Sequence, residues 1–140
     1  MSALSNYLES GLLNHMFRAV SYTAPSPLYI GLTQSFNSGN LEANVVDEPS
    51  TGGYARQSYT SNTANWIAPY ASGSATATHN NTSIEFPVAT VDIGNISGVF
   101  ISDASTSGNV LFYGALSSSR NIRSGDQFVF SSGSLKITFN

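Results

Sequence analysis

Apolar residues return every four positions at the start of the chain: Leu4, Leu8, Leu12 and Met16, with Tyr7 and Phe17 beside them. That spacing follows one face of an α-helix and predicts an amphipathic helix over residues 2–20. A hydroxyl of Ser2 or Ser5 suits its N-cap, and Glu9 falls in the early part, where the helix dipole favours negative charge. Gly11 costs such a helix about 1 kcal/mol relative to alanine. The stripe either packs the helix over its own β core or docks it on a partner subunit, and the pattern leaves both open. Pro25 and Pro27 stop the helix.

After the prolines the period shortens toward two. Leu28-Tyr29-Ile30-Gly31-Leu32 is an apolar run bounded by polar residues and predicts a buried strand. Residues 34–53 are polar and hold Asp47, Glu48, Pro49 and Gly52-Gly53, which predicts a long surface loop suited to touching a neighbour. Tyr54–Thr60 alternates as a strand. Residues 61–81 carry the weakest pattern, with one short strand expected at Ala75–Thr78. Ser83–Phe86 is a short strand ended by Pro87. Ile96–Ser102 contains Val99-Phe100-Ile101, a run expected to be buried on both faces. Asp103–Gly108 is a hairpin-type loop, and Val110–Leu116 alternates between two faces. A turn at Gly125-Asp126 precedes Gln127–Phe130, and a last strand points Leu135, Ile137 and Phe139 inward. Seven or eight short strands with Gly-rich turns give a mainly β fold: an antiparallel β-sandwich or jelly-roll over residues 27–140, with the helix, in one domain spanning 1–140.

Composition changes this picture in one respect. Of 140 residues only 9% are charged, against roughly a quarter in ordinary soluble proteins, and Ser, Thr and Asn make up about a third. Hydroxyls and amides keep a surface wet without long-range repulsion, so such surfaces tolerate close packing against neighbours. The net charge is −3, and Arg18, Arg56, Arg120, Arg123 and Lys136 are scattered. No basic patch invites nucleic acid. No run of 18 apolar residues suggests a membrane span. Met1 to Arg18 lacks the features of a signal peptide. With no cysteine, disulfides, thiolate metal sites and cysteine nucleophiles are excluded.

Candidate chemistry is thin. His15 lies in the helix and His79 in the weakly patterned region, and no nucleophile elbow, metalloprotease, phosphate-cradling or dinucleotide motif occurs. The carboxylates Glu42, Asp47, Glu48, Glu85, Asp92, Asp103 and Asp126 fall mostly in loops and turns, where such groups cap or solvate. A calcium site at Asp103 would need ligand spacing that is absent. The expectation is a non-enzyme without cofactor or metal. Tyr54, Trp66 and Tyr70 lie at polar loops and suit a protein contact or a sugar platform; Tyr29 and Tyr113 suit the core.

Several segments occur in an order that resembles a known group of proteins. They are Ser5–Glu9, Leu12–Arg18, Tyr22–Pro25, Leu28–Leu32, Gly52-Gly53-Tyr54-Ala55-Arg56-Gln57, Phe86–Thr90, Ile93-Gly94, Gly98–Ala104, Gly108–Leu116 and Ser124–Asp126. Together they are similar to small bacteriophage virion structural proteins, tail-fibre-like or capsid-associated, over all but Asn62–Thr82. Ile93, where an aromatic is usual, and the less apolar Ile101-Ser102-Asp103 are core variations. The resemblance implies a virion component made in the host cytoplasm and carried on the particle surface. It implies as partners the major capsid protein or other virion proteins, in a homotrimer. The first expectation is a capsid decoration (cement) protein; the alternative is a tail or tail-fibre module that binds another tail component or a host glycan. The expected contact residues are Leu4, Leu8 and Leu12 on the helix, Gly52, Gly53, Tyr54 and Arg56 on the loop, with Arg56 reaching a partner carboxylate, and Trp66 and Tyr70.

Overall fold

The structure, a computed structural model, describes residues 3–140. The expected helix start and alternative cap at Ser2 lie outside the described residues. In chain order the elements are β1 (Ala3–Leu4), α1 (Asn6–Arg18), β2 (Leu28–Thr33), α2 (Ser38–Glu42), β3 (Gln57–Tyr59) and β4 (Tyr70–Ser72). They continue with β5 (Ala75–His79), β6 (Ile84–Glu85), β7 (Gly94–Ser102), β8 (Val110–Ile122), β9 (Val129–Phe130) and β10 (Lys136–Phe139). The chain is mainly β, and its paired strands run antiparallel. They form sheets of five strands (β1-β8-β7-β2-β3), three (β10-β5-β4) and two (β6-β9).

The largest core joins one face of the five-stranded sheet to the smaller sheets. Ile30, Leu32, Ile96 and Ile101 meet Ile84, Phe86, Phe130, Leu135 and Ile137 there. A second, smaller cluster of Leu41, Phe100 and Val110, joined by Phe36, Val46 and Tyr113, covers the opposite face. The Val99–Ile101 run is thereby buried on two sides: Phe100 serves the second cluster and Ile101 the first. Helix α2 falls inside the expected surface loop. It forms because Asn37 caps it, accepting the Asn40 N–H at 3.0 Å, and because Leu41 is drawn into the second cluster. The loop is tied down further by the Val110 N–H to Asn44 Oδ1 and the Gln34 N–H to Asp47 O, both 2.7–2.8 Å.

Helix α1 starts where Ser5 caps it: its Oγ accepts the Leu8 N–H at 3.3 Å and donates to Val110 O. The Ser5 N–H donates to Leu111 O, and Leu4 pairs opposite Phe112 in β1. Leu4 therefore belongs to the sheet, not to a helical stripe. Gly11 has its reason in Tyr22, whose ring lies where a Cβ would stand. The returning chain thus packs against the helix flank, and the Tyr22 N–H donates to His15 Nδ1. Among the described residues no helix is long and apolar enough to cross a membrane.

Strand β8 runs six residues past its expected end. Ile96 faces Arg120 and Gly98 faces Ala115, so the single residue Ser97 opposes Leu116–Ser119. This larger, special bulge lets β8 leave its partner and rejoin it.

Candidate functional site

The expected contact residues separate in the structure. Leu8 is buried, and Leu12 and Leu4 are half-buried against the β body. What the helix offers to the outside is its other face: Leu13 is 59% exposed, Met16 72% and Phe17 80%, and Val20 just beyond the helix is also exposed. The doublets Leu12-Leu13 and Met16-Phe17 carry the signal for this. Apolar neighbours stand about 100° apart on a helix, so two doublets at a four-residue interval make two stripes rather than one. Leu8 and Leu12 form the inner stripe; Leu13, Met16 and Phe17 form an outer one that no other described residue covers.

The helix is held firmly at its base. The Asn6 N–H donates to Glu42 Oε2 at 2.7 Å and the Tyr113 hydroxyl to Glu42 Oε1 at 2.6 Å, so one carboxylate links α1, α2 and β8. The bond to Glu42, with burial adding to it, pushes the Tyr113 hydroxyl up to about 12. Arg18 donates to Asn14 Oδ1 on the flank of the tip.

The Gly52–Arg56 segment turns inward. Gly52 is buried with φ +70°, and a Cβ there would press on Ile93; Gly53, φ +78°, is exposed with open space around it. Tyr54 stacks on Phe86 at 5.9 Å between ring centres. Its hydroxyl donates to Glu48 Oε1 and accepts the Leu32 N–H, both at 2.9 Å. Strand β3 starts opposite Ile30, so Leu32 has no strand on that side, and Tyr54 supplies the missing acceptor. Arg56, its side chain 5% exposed, forms a two-pronged ion pair with Glu48 through Nε and Nη2 at 2.9 and 2.7 Å. Nη1 donates to Ser102 Oγ, Ala104 O and Ser107 O. The guanidinium has its partner carboxylate within the chain.

Burial, and secondarily the Glu48 carboxylate, hold the Tyr54 hydroxyl well above the ordinary tyrosine range, against the opposing bond from Leu32. In the unfolded chain it ionises near pH 10. Above that pH the folded state keeps a proton that the unfolded state loses, so stability falls as pH rises, by up to about 1.4 kcal/mol per pH unit for one such group. Tyr54→Phe is expected to be less stable than the parent at pH 7 by about 1–3 kcal/mol, because the Leu32 N–H loses its acceptor. That deficit should shrink steadily above pH 10. Urea unfolding at pH 7 and pH 11 measures both gaps; equal gaps would refute the assignment.

Trp66 is half-buried, edge-on to Tyr59 at 5.2 Å, and its Nε1 is buried with no hydrogen-bond partner among the described residues. It lines an apolar groove of about 370 Å³ with Leu28, Pro69, Phe112 and Phe139. Tyr70 has different neighbours: His79 edge-on at 5.9 Å and Lys136 Nζ 5.7 Å from its ring centre. The two rings do not share one platform. A larger cleft, about 660 Å³, opens between β8 and residues 126–137, with Arg120, Asp126 and Lys136 as its charged lining. Most of the acids are dispersed in structural bonds. Asp103 accepts from the Asn109 N–H and side chain, Asp126 from the Arg123 N–H, and Asp92 from the Ser124 N–H.

The model of one protein family, described as Podophage GP4 fiber I protein gp80, matches residues 3–138 of the chain. No curated protein matches it.

Proposed function

The chain belongs to the podophage GP4 fiber I protein gp80 family and is a bacteriophage virion structural protein, and we propose that it serves as a non-catalytic subunit of the tail fibre. The family match over nearly the whole length carries this reading. Family membership implies interaction with other virion proteins; the outer stripe of α1 is the surface proposed for it, on a rigid β body that bears the load. A position on the particle surface and a threefold copy number, both expected from the sequence, belong to the same proposal. The dispersed, internally bonded carboxylates support a mechanical role over a hydrolytic one. Head decoration is the first expectation from the resemblance, whereas the description of the matched family favours the tail.

Imaging of intact particles by electron cryomicroscopy tests the proposal. Density for this fold at the tail, in tens of copies or fewer, is the expected result. Hundreds of copies on the head would replace it with the decoration reading, and absence from purified particles would remove both.

A further inference from the structure

We propose that the outer edge of β8 receives an extended, acidic segment of another virion protein as an added antiparallel strand. The inference rests on the reading that the chain contacts other virion proteins, and it adds a contact distinct from the α1 stripe, with its own chemistry. The edge is open. Strand β8 pairs with β7 on one side, while on the other β1 covers Phe112 and Tyr113 alone. From Gly114 to Ile122 that side has no strand among the described residues. Residues 116–119 lie in the bulge and lack a paired strand on both sides. An extended row of unpaired N–H and C=O groups is a template for a further strand, which it recognises through the backbone. The direction is set by β1, which already runs antiparallel to β8 along this edge.

The edge borders a place for the added side chains. Residues 116–118 and 120–122 line the cleft of about 660 Å³, whose other wall is formed by residues of the 126–137 segment. Leu116 and Phe128 are half-buried in it and offer apolar surface. Side chains of a strand alternate between its two faces, so an occupant lays every second one on this surface and leaves the others in water.

Charge selects among such strands. Arg120 stands opposite Ile96 in the ladder, and opposed residues project to one face, so Arg120 shares the core side of the sheet with Ile96 and lines the cleft. It is exposed, and among the described residues its guanidinium has no carboxylate, hydrogen-bond or ring partner. The other charges of the cleft are engaged: Asp126 Oδ2 accepts the Arg123 N–H at 2.9 Å, and Lys136 Nζ donates to Ser72 Oγ at 2.7 Å. The free charge is therefore positive, which fits a carboxylate on the incoming strand. A second copy fits worse, since pairing two β8 edges would bring the same arginine to both sides. The bulge and the arginine blunt the edge against indiscriminate pairing, and an acidic strand converts that charge from an obstacle into a contact.

Titration of a short probe peptide into the purified, isotope-labelled full chain tests this in solution; particle imaging decides the tail-fibre reading separately, so a failure here leaves that reading standing. The probe is blocked at both ends and alternates valine with threonine and glutamate. The expected result is saturable movement of the Ser117–Asn121 amide resonances, with a dissociation constant of about 1 mM or below. Lysine in place of the glutamates should weaken binding about fivefold, because an attraction at Arg120 becomes a repulsion. Arg120→Glu should reverse that preference while the amide spectrum stays dispersed and folded. Methylating every second backbone nitrogen of the acidic probe, in the phase that faces β8, should abolish binding, so both phases are made and one must fail. Four results would each overturn the inference: no movement at millimolar probe, movement confined to α1 or to the Trp66 groove, equal binding of both methylated probes, or an acidic preference that survives Arg120→Glu.

Discussion

Replacing Glu48 with alanine is expected to lower the melting temperature by about 10 °C, one of the two largest effects foreseen for a single side chain here. The reason is what the substitution leaves behind. Arg56 stays almost fully buried, its guanidinium 4.8 Å from the centre of the Phe100 ring and bonded to three oxygens of residues 102–107. None of those oxygens carries a formal charge. Breaking a buried ion pair by deleting one partner costs roughly 3–5 kcal/mol, because the other charge remains desolvated and uncompensated. The Glu48 side chain keeps 23% exposure, so water recovers part of that, and the lower end, about 3 kcal/mol, applies. For a chain between the 100- and 150-residue classes, each kcal/mol moves the midpoint by about 3–5 °C. Tyr54 loses its acceptor at the same time, which adds in the same direction. Replacing both charges, Glu48→Leu with Arg56→Met, should restore much of the loss, since no charge is then stranded. Calorimetry on the three proteins decides it. A drop under about 3 °C for Glu48→Ala, or a double variant no better than the single, would show that the pair is solvated rather than buried.

That pair also marks where sequence periodicity stops being informative. Arg56 sits in an alternating segment and Glu48 in a polar loop eight residues earlier. No helical or strand period relates them, so the expectation that Arg56 reaches a partner was open from sequence, and the fold closes it by turning the segment inward at Gly52. The same limit hides α2. Ser38, Gly39 and Asn40 are weak helix formers, and one turn forms there because Leu41 finds the second core cluster, a tertiary cause. The extension of β8 beyond Leu116 has no apolar alternation at all; Ser117–Asn121 is polar and exposed; residues 116–119 lie in the bulge, and pairing with β7 resumes only at Arg120–Ile122.

What periodicity does carry is the core. Leu28–Leu32, Val99–Ile101, Val110–Leu116 and the final apolar alternation all appear as strands near their expected places, because each must hide alternate side chains and the period is set by that need; of the three residues expected inward in the last, Leu135 and Ile137 are buried, whereas Phe139 is 43% exposed at the sheet's end beside Phe112. The capping role of Ser5 was legible for a similar local reason. The helix is legible as a helix, but its outward face is not: Leu4 joins the sheet, Leu8 and Leu12 turn inward, and the face left open carries Leu13, Met16 and Phe17. A four-residue recurrence identifies a face and says nothing about which of two faces meets the chain's own core.

Asn80 presents the other large effect, and its pH dependence makes the test sharper. Its side chain is fully buried at the junction of β5, β9 and the turn into β10. Oδ1 accepts the Leu135 N–H at 2.8 Å, while Nδ2 donates to Thr82 O and Ser131 O at 2.9 Å. Phe130 O lies at 3.4 Å. Asn80→Ala strands one donor and two acceptors away from water; at about 1–3 kcal/mol for each buried group, with partial relaxation, a loss of about 3–5 kcal/mol follows. Asn80→Asp is nearly isosteric and keeps the acceptor for Leu135, yet at neutral pH it sets an anion against carbonyl oxygens where the amide had donated. That variant should be the less stable of the two at pH 7. Its folded carboxyl must titrate above the ordinary aspartate range of about 3.9, because both burial and the carbonyls disfavour the charge. A raised folded pKa means that the folded state binds the extra proton, so the stability contribution is complete below the unfolded value and is lost as pH rises through the folded one. The gap between the parent and Asn80→Asp should therefore narrow on going from pH 7 to pH 4, whereas the gap to Asn80→Ala should not depend on pH. Urea unfolding at both values separates the cases: a pH-independent deficit for the aspartate variant would mean that the carboxylate escapes to solvent, and that the junction is looser than a single buried amide bridging three segments requires.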